Sequence, residues 1–231
     1  MLERSKIQIH EKATCLVFCE GRDEECFFRA FQTWCKKENP WVEGIQFVDC
    51  GGNDDIRRGM RALIGADGFE HIRGVGVIRD AEKDAGGAVA SVKGTLDEFF
   101  KEVPKDCFCV QESYMKDQSV SKESLKIGFA VLPGYRRENS EYLNGTLEDL
   151  CYQIFFGDKS SGQVILDQVE AQRGCLFQRR HKNLLHTNFS ITDDFVGMKI
   201  GEAARANAFD FQHEAMRPFE EFFNRLSKKS V

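Results

Sequence analysis

The sequence predicts an α/β protein, a mostly parallel sheet flanked by helices with a helical extension behind it, and three observations carry that reading. Near-continuous apolar runs such as Thr14–Cys19 (TCLVFC) and Gly74–Arg79 (GVGVIR) suit strands buried on both faces, as in parallel sheets. Segments of helical period separate them with short joins, which implies a doubly wound sheet with right-handed crossovers. After Leu132 the strand signal stops and helical spacing takes over.

In chain order, the first strand (Thr14–Cys19) ends at Glu20-Gly21. A helix follows over Asp23–Lys37, with Cys26, Phe27, Ala30, Phe31 and Trp34 at helical spacing, and Asn39-Pro40 stops it. Ile45–Asp49 is a second strand, closed by Gly51-Gly52, and Asp54–Ile64 a second helix. The strand Gly74–Arg79 ends at Asp80. A third helix spans Ala88–Val103, with Val92, Leu96, Phe99, Phe100 and Val103 on one face. Cys107–Tyr114 and Lys126–Leu132 are further strands, the second closed by Pro133-Gly134. Helices are then expected over Leu147–Phe156, Val164–Phe177, Lys182–Thr187, Ile200–Ala208 and Ala215–Leu226. With no repeat and no low-complexity linker, residues 136–231 should pack as an extension on the α/β core of residues 1–135, forming one unit.

Composition narrows the function classes. The chain of 231 residues is 42% hydrophobic and 30% charged, an ordinary globular balance. No run approaches the roughly 20 apolar residues of a spanning helix, and Met1–Glu11 lacks the apolar centre of a secretory signal. A cytoplasmic protein without membrane partners is the expectation. Nine cysteines, an odd number and mostly inside apolar runs, read as reduced thiols. Neither Cys15/Cys19 nor Cys107/Cys109 has a zinc-knuckle gap, and the five histidines are scattered, so zinc is not expected. The formal charge of −5 gives no general attraction to nucleic acid but leaves room for a local basic groove.

The chemistry is expected where the strands end, because open α/β sheets bind ligands beyond their carboxyl edge. There the first strand delivers Glu20, and the third delivers Asp80 with Glu82 two positions on. Carboxylates at i and i+2 leaving a strand can point the same way. Converging carboxylates without His or Cys suit Mg²⁺ or Mn²⁺. Glu24 lies one helical turn beyond Glu20 and can face the same cleft. Taken singly, Glu20 or Asp80 reads first as a helix cap or a surface residue, and Glu24 reads also as an acid favoured by the helix dipole.

The segment Leu16-Val17-Phe18-Cys19-Glu20-Gly21-Arg22-Asp23-Glu24 resembles the first motif of TOPRIM domains, a strand ending in Glu-Gly. Gly76-Val77-Ile78-Arg79-Asp80-Ala81-Glu82 resembles the second, a strand ending in Asp-x-Asp, with glutamate in the last place. With Gly145-Thr146-Leu147-Glu148-Asp149-Leu150 and Gly197-Met198-Lys199-Ile200-Gly201-Glu202-Ala203-Ala204, the chain is similar from about Thr14 to Leu226 to stand-alone TOPRIM-like bacterial proteins. These are related to the TOPRIM domain of OLD-family (overcoming lysogenization defect) nucleases. The resemblance implies a TOPRIM-like core and a Mg²⁺- or Mn²⁺-dependent nuclease, acting on DNA rather than RNA, beside an ATPase partner protein. It implies catalytic roles for Glu20, Asp80, Glu82 and Lys182. Glu20, Glu24, Asp80, Glu82 and Glu148 would serve as metal ligands, with Glu24 and Glu148 helping to hold a second ion. The extra methylene of Glu82 moves its carboxylate outward from the position an aspartate would give it.

Arg79, Arg179 and Arg180 are the candidates for contact with a nucleic-acid backbone, the latter two within the cluster Arg179-Arg180-His181-Lys182. The alternative for that cluster is a solvated helix face. Gly51-Gly52 can approach a phosphate or simply turn the chain. Tyr135 beside Arg136-Arg137 reads as a turn rather than as a nucleophile, and no GxxxxGK[ST] motif is present. A receiver-like phosphoacceptor needs a lysine at a later strand end, whereas Lys126 opens its strand. A non-catalytic nucleic-acid- or partner-binding protein of the same fold is the alternative to an enzyme.

Overall fold

The structure, a computed structural model, describes residues 7–102, 108–109, 125–136 and 141–227. Its sheet has the strand order β2-β1-β3-β5-β4, formed by β1 (Cys15–Cys19), β2 (Ile45–Asp49), β3 (Gly74–Asp80), β4 (Phe108–Cys109) and β5 (Lys126–Leu132). All pairings are parallel. The fold class read from the sequence is the one observed. Of the strand expected over Cys107–Tyr114, only Phe108–Cys109 lies inside the described residues, as do the backbone but not the side chain of Phe100, and Val103 lies outside them. A hairpin that the sequence reading lacks, β6 (Tyr135–Arg136) with β7 (Glu141–Tyr142), follows β5.

β1 lies between β2 and β3 and is buried at every residue. Its side chains alternate between two apolar layers, as a strand with both faces covered requires. Cys15, Val17 and Cys19 face one layer, with Phe47, Ile78 and Leu132. That layer is covered by α1 (Arg22–Cys35), α4 (Leu147–Ile154), α6 (Arg180–Ile191), α7 (Ile200–Arg205) and α8 (Arg217–Ser227). Leu16 and Phe18 face the other, with Val75, Val77 and Phe129, under α2 (Asn53–Ile64) and α3 (Ala85–Glu102). The remaining helix, α5 (Lys159–Arg173), packs on α6.

The first layer is built largely from aromatic rings. Phe28 meets Phe27, Phe47, Phe219 and Phe223, and Phe31 stacks on Trp34 and contacts Phe211 and Phe223. The twenty phenylalanines of the chain therefore serve this core in large part. Two glycines permit its close contacts. A Cβ at Gly201 would lie 2.2 Å from Cβ of Cys26, so α7 rests directly on α1. A Cβ at Gly76 would lie 2.7 Å from Cζ of Phe222, where α8 crosses β3.

Among the described residues no helix is long and apolar enough to cross a membrane. The cysteines described are free thiols, and burial holds Cys15, Cys19, Cys35, Cys50 and Cys151 protonated.

Candidate functional site

The strand order reverses at β1: the chain leaves it to form β2 on one side and returns to form β3 on the other. The carboxyl ends of β1 and β3 flank this switch point, where open α/β sheets form their ligand crevice. Glu20 follows β1 and Asp80 ends β3. Oε2 of Glu20 stands 3.4 Å from the backbone N–H of Asp80, so these two acids meet.

Two helix starts complete the crevice. α1 begins immediately after Glu20-Gly21 and carries Glu24, nearly buried, in its first turn. The start of α4 is tied to the loop after β3 by backbone hydrogen bonds. Glu82 donates to Gly145 O at 2.7 Å, and Gly145 donates to Glu82 O at 2.8 Å. The N–H of Leu147 donates to Oδ1 of Asp80 at 2.9 Å, and Asn144 accepts from Ala85 N–H at 2.8 Å. Gly145 holds φ +139°, and a Cβ there would lie 2.8 Å from the Asp149 carboxylate. The Gly-Thr-Leu-Glu-Asp segment is thus a helix start shaped to deliver Glu148 to the crevice, where it is largely buried.

Glu20, Glu24, Asp80 and Glu148 act on one another electrically. The Asp80 pKa is raised to about 8, by burial first and then by the charges of Glu24, Glu20 and Glu148; the Leu147 N–H works in the opposite direction. Glu24 is raised as well, by burial and by Glu20, Asp23 and Glu148. Burial would also raise Glu148, but it is lowered overall because Lys182 and Thr146 bond its carboxylate. Lys182 donates to Oε1 and the Thr146 hydroxyl donates to Oε2 at 2.8 Å. Beneath this group the buried thiol of Cys151 is pushed well above its ordinary range by burial, and Glu148, Asp23, Glu24 and Asp80 add to the shift. The crevice therefore concentrates negative charge that one ammonium group from Lys182 only partly offsets.

The structure does not gather every candidate. Glu82 is exposed, holds φ 55°, and joins the site through its backbone bonds with Gly145. Among the described residues, no three His, Cys, Asp or Glu side chains already stand as a metal cage. The donor set nevertheless fits a hard divalent cation. It is all carboxylate oxygen, and a carboxyl pushed up to about 8 marks negative charge that a cation would relieve.

The basic cluster is engaged by acids. Arg180 bonds Asp167, Glu170 (3.1 Å) and Gln163 (3.3 Å) of α5. His181 Nδ1 bonds Asp149, and Lys182 bonds Glu148, both on α4. The run Arg180-His181-Lys182 thus fixes the start of α6 against α4 and α5, and Arg179 before it is exposed. Arg79 is half-buried, and its Nε is buried without a hydrogen-bond partner. Gly51 and Gly52 adopt φ +74° and +148°, and the Gly51 N–H is taken by Asp49 at 2.9 Å, so this pair turns the chain. The Asp149–His181 pair was absent from the sequence reading; its only signal was the adjacency of each residue to a site candidate, Glu148 and Lys182.

A family model described as a protein of unknown function (DUF3226) matches residues 14–228. No curated protein and no solved structure matches the chain. With the match running from β1 through α8, the chain belongs to the DUF3226 family.

Proposed function

We propose that this protein is a divalent-metal-dependent phosphodiesterase acting on nucleic acid, DNA in the first instance, in the manner of TOPRIM and OLD-type nucleases. The observation that carries the reading is the carboxylate group at the switch point, with Asp80 raised to about 8 by burial and by its neighbours Glu24, Glu20 and Glu148. The two strand-end motifs that resemble TOPRIM domains supply Glu20 and Asp80. Glu20 and Asp80 would hold Mg²⁺ or Mn²⁺, and Glu24 and Glu148 would take part in a second site. When bound, such ions would activate water as the nucleophile and would stabilise the charge developing on a phosphodiester.

The chain's own groups would do the rest. Lys182, anchored on Glu148, is the cation available to a phosphate oxygen as charge develops on it. Half-buried Arg79 and exposed Arg179 would meet the backbone. Arg180, held by Asp167 and Glu170, is left to structure. Cytoplasmic residence accords with such a substrate.

Titration with Mn²⁺ followed by calorimetry and plasmid nicking tests the proposal. Wild type should bind the ion, and at about 100 times Kd the ion should stabilise the fold by about 2.7 kcal/mol. Asp80→Ala should abolish that response and reduce nicking at least ~100-fold, since metal assistance is worth several kcal/mol of barrier. Two observations favour a second reading, a non-catalytic binder: Glu82 is exposed, and Glu148 already has Lys182 as its counter-ion. A binder would retard DNA without nicking it, with affinity falling steeply in salt.

A further inference from the structure

α4 and α6 present two adjacent acids to two adjacent bases. Glu148 takes Lys182 and belongs to the carboxylate group, whereas Asp149 takes His181, which the metal chemistry does not use. Asp149 is itself held: its Oδ2 accepts the backbone N–H of Thr146 at 2.8 Å and lies 3.0 Å from the Thr146 hydroxyl oxygen, leaving Oδ1 for the imidazole. The His181 ring lies flat on Tyr152, with centroids 5.8 Å apart and planes at 10°. The ring is therefore fixed by a carboxylate at Nδ1 and by an aromatic face. Its side chain remains 55% exposed, which makes Nε2 the nitrogen available to a ligand. The charged and titratable groups around it are Asp149 and Tyr152 from α4, Glu148 and Lys182 alongside, and Lys159 of α5, whose ammonium lies 5.7 Å from the Tyr152 ring.

Resting on the phosphodiesterase reading above, we infer that His181 is the general acid of the reaction, oriented by Asp149 as a positioning residue. In the step, a water oxygen bonds to phosphorus and the P–O bond to the leaving nucleoside oxygen breaks. The bonding pair goes to that oxygen, which takes the proton from Nε2 of the imidazolium and departs as the alcohol. The attacking water's proton passes to solvent, and the neutral imidazole regains a proton from solvent before the next turnover. A purely structural histidine, docking α6 on α4, would show no sensitivity to the leaving group.

The test compares two substrates with Mn²⁺ present: a DNA oligonucleotide, whose leaving alkoxide needs a proton, and bis(p-nitrophenyl) phosphate, whose leaving phenolate does not. His181→Ala should lower turnover of DNA by ~10²–10⁴-fold, the usual span of general-acid assistance. It should lower turnover of the nitrophenyl ester by less than about tenfold, with Mn²⁺ binding unchanged. Added imidazole should restore part of the DNA activity. Asp149→Asn should show the same selectivity in weaker form, and it serves in place of His181→Ala should that variant fail to fold. Equal loss on both substrates, or loss on neither, overturns the assignment while leaving the phosphodiesterase reading intact. A wild-type protein inactive on both substrates removes that reading and this one together.

Discussion

Asp80 carries an unusual burden for a carboxyl group. Its pKa near 8, against 3.8 for an ordinary aspartate, means that the folded protein keeps a proton which the unfolded chain gives up. Below about pH 4 both states are protonated, and the group favours neither relative to its acid form. As pH rises from about 4 through 8, the unfolded state gains stability from ionisation and the metal-free fold loses it, by an amount on the order of a few kcal/mol. Glu148 acts in the other direction, since its lowered pKa adds stability that is present above the ordinary carboxylate range and lost as pH falls through the folded value. Comparison with Asp80→Asn isolates the Asp80 contribution. In EDTA, thermal melts from pH 4 to 9 should show the variant gaining on wild type as pH rises, with the two converging at the acid end; parallel curves would remove the linkage. Glu20 and Asp80 were legible in the sequence because a strand end points its last residues into the crevice. Glu82 was not, since alternation predicts direction only while the chain stays extended, and this residue sits at φ 55° in a turn. Asp149 and His181 meet only because two helix starts converge, which local spacing does not encode.

At the scale of elements, strands were read more accurately than helices. Ile45–Asp49 and Lys126–Leu132 have the bounds the apolar runs gave, since burial on both faces leaves little ambiguity in where the run stops. α5 begins at Lys159 and ends at Arg173, against the expected Val164–Phe177. Its polar first turn, capped by Asp158 through the Ser160 N–H at 2.8 Å, gave no apolar signal. Of the residues that did give one, Leu166 is buried, but Val164 is 54% and Leu176 75% exposed. α6 extends over Arg180–Ile191, beyond Lys182–Thr187 at both ends: ion pairs with other helices fix its first turn, and buried Asn188 and Phe189 hold its last. α7 owes its seat to the absence of a side chain, Gly201 lying where any Cβ would meet Cys26. Gly201→Ala should therefore destabilise the protein by about 1–3 kcal/mol through overpacking, despite the better helix propensity of alanine. Urea titration should show a lower midpoint with an unchanged slope; an unchanged midpoint would mean that α1 and α7 separate without penalty.

Across the whole molecule, the two halves of the sequence share one apolar layer. Phe28, Phe31 and Phe47 come from the first half, and Phe219, Phe222, Phe223 and Leu226 from α8, more than 150 residues later. α8 lies against β3 and β5, and Trp41 of the turn before β2 bonds Asn224 through its indole N–H at 3.1 Å. Helical spacing after Leu132 predicts an extension against the core but not its share of the ring cluster, because Phe-Phe pairs at helical spacing do not name their partners. Burying Phe219, Phe222, Phe223 and Leu226 is worth roughly 1.5–3 kcal/mol each, hence on the order of 6–12 kcal/mol in all. That is comparable with the entire stability of a typical domain, about 5–15 kcal/mol. Truncation after Met216 should consequently abolish folding rather than trim it. In the full chain, far-ultraviolet dichroism and the fluorescence of Trp34 and Trp41 should report one coincident urea transition. A truncated chain that still melts cooperatively, or two separated transitions in the intact one, would show that the α/β core stands by itself. The carboxylate crevice depends on the same cooperativity, since Glu148, with Lys182 bonded to it, acts on Asp80 only while the later helices remain packed on the sheet.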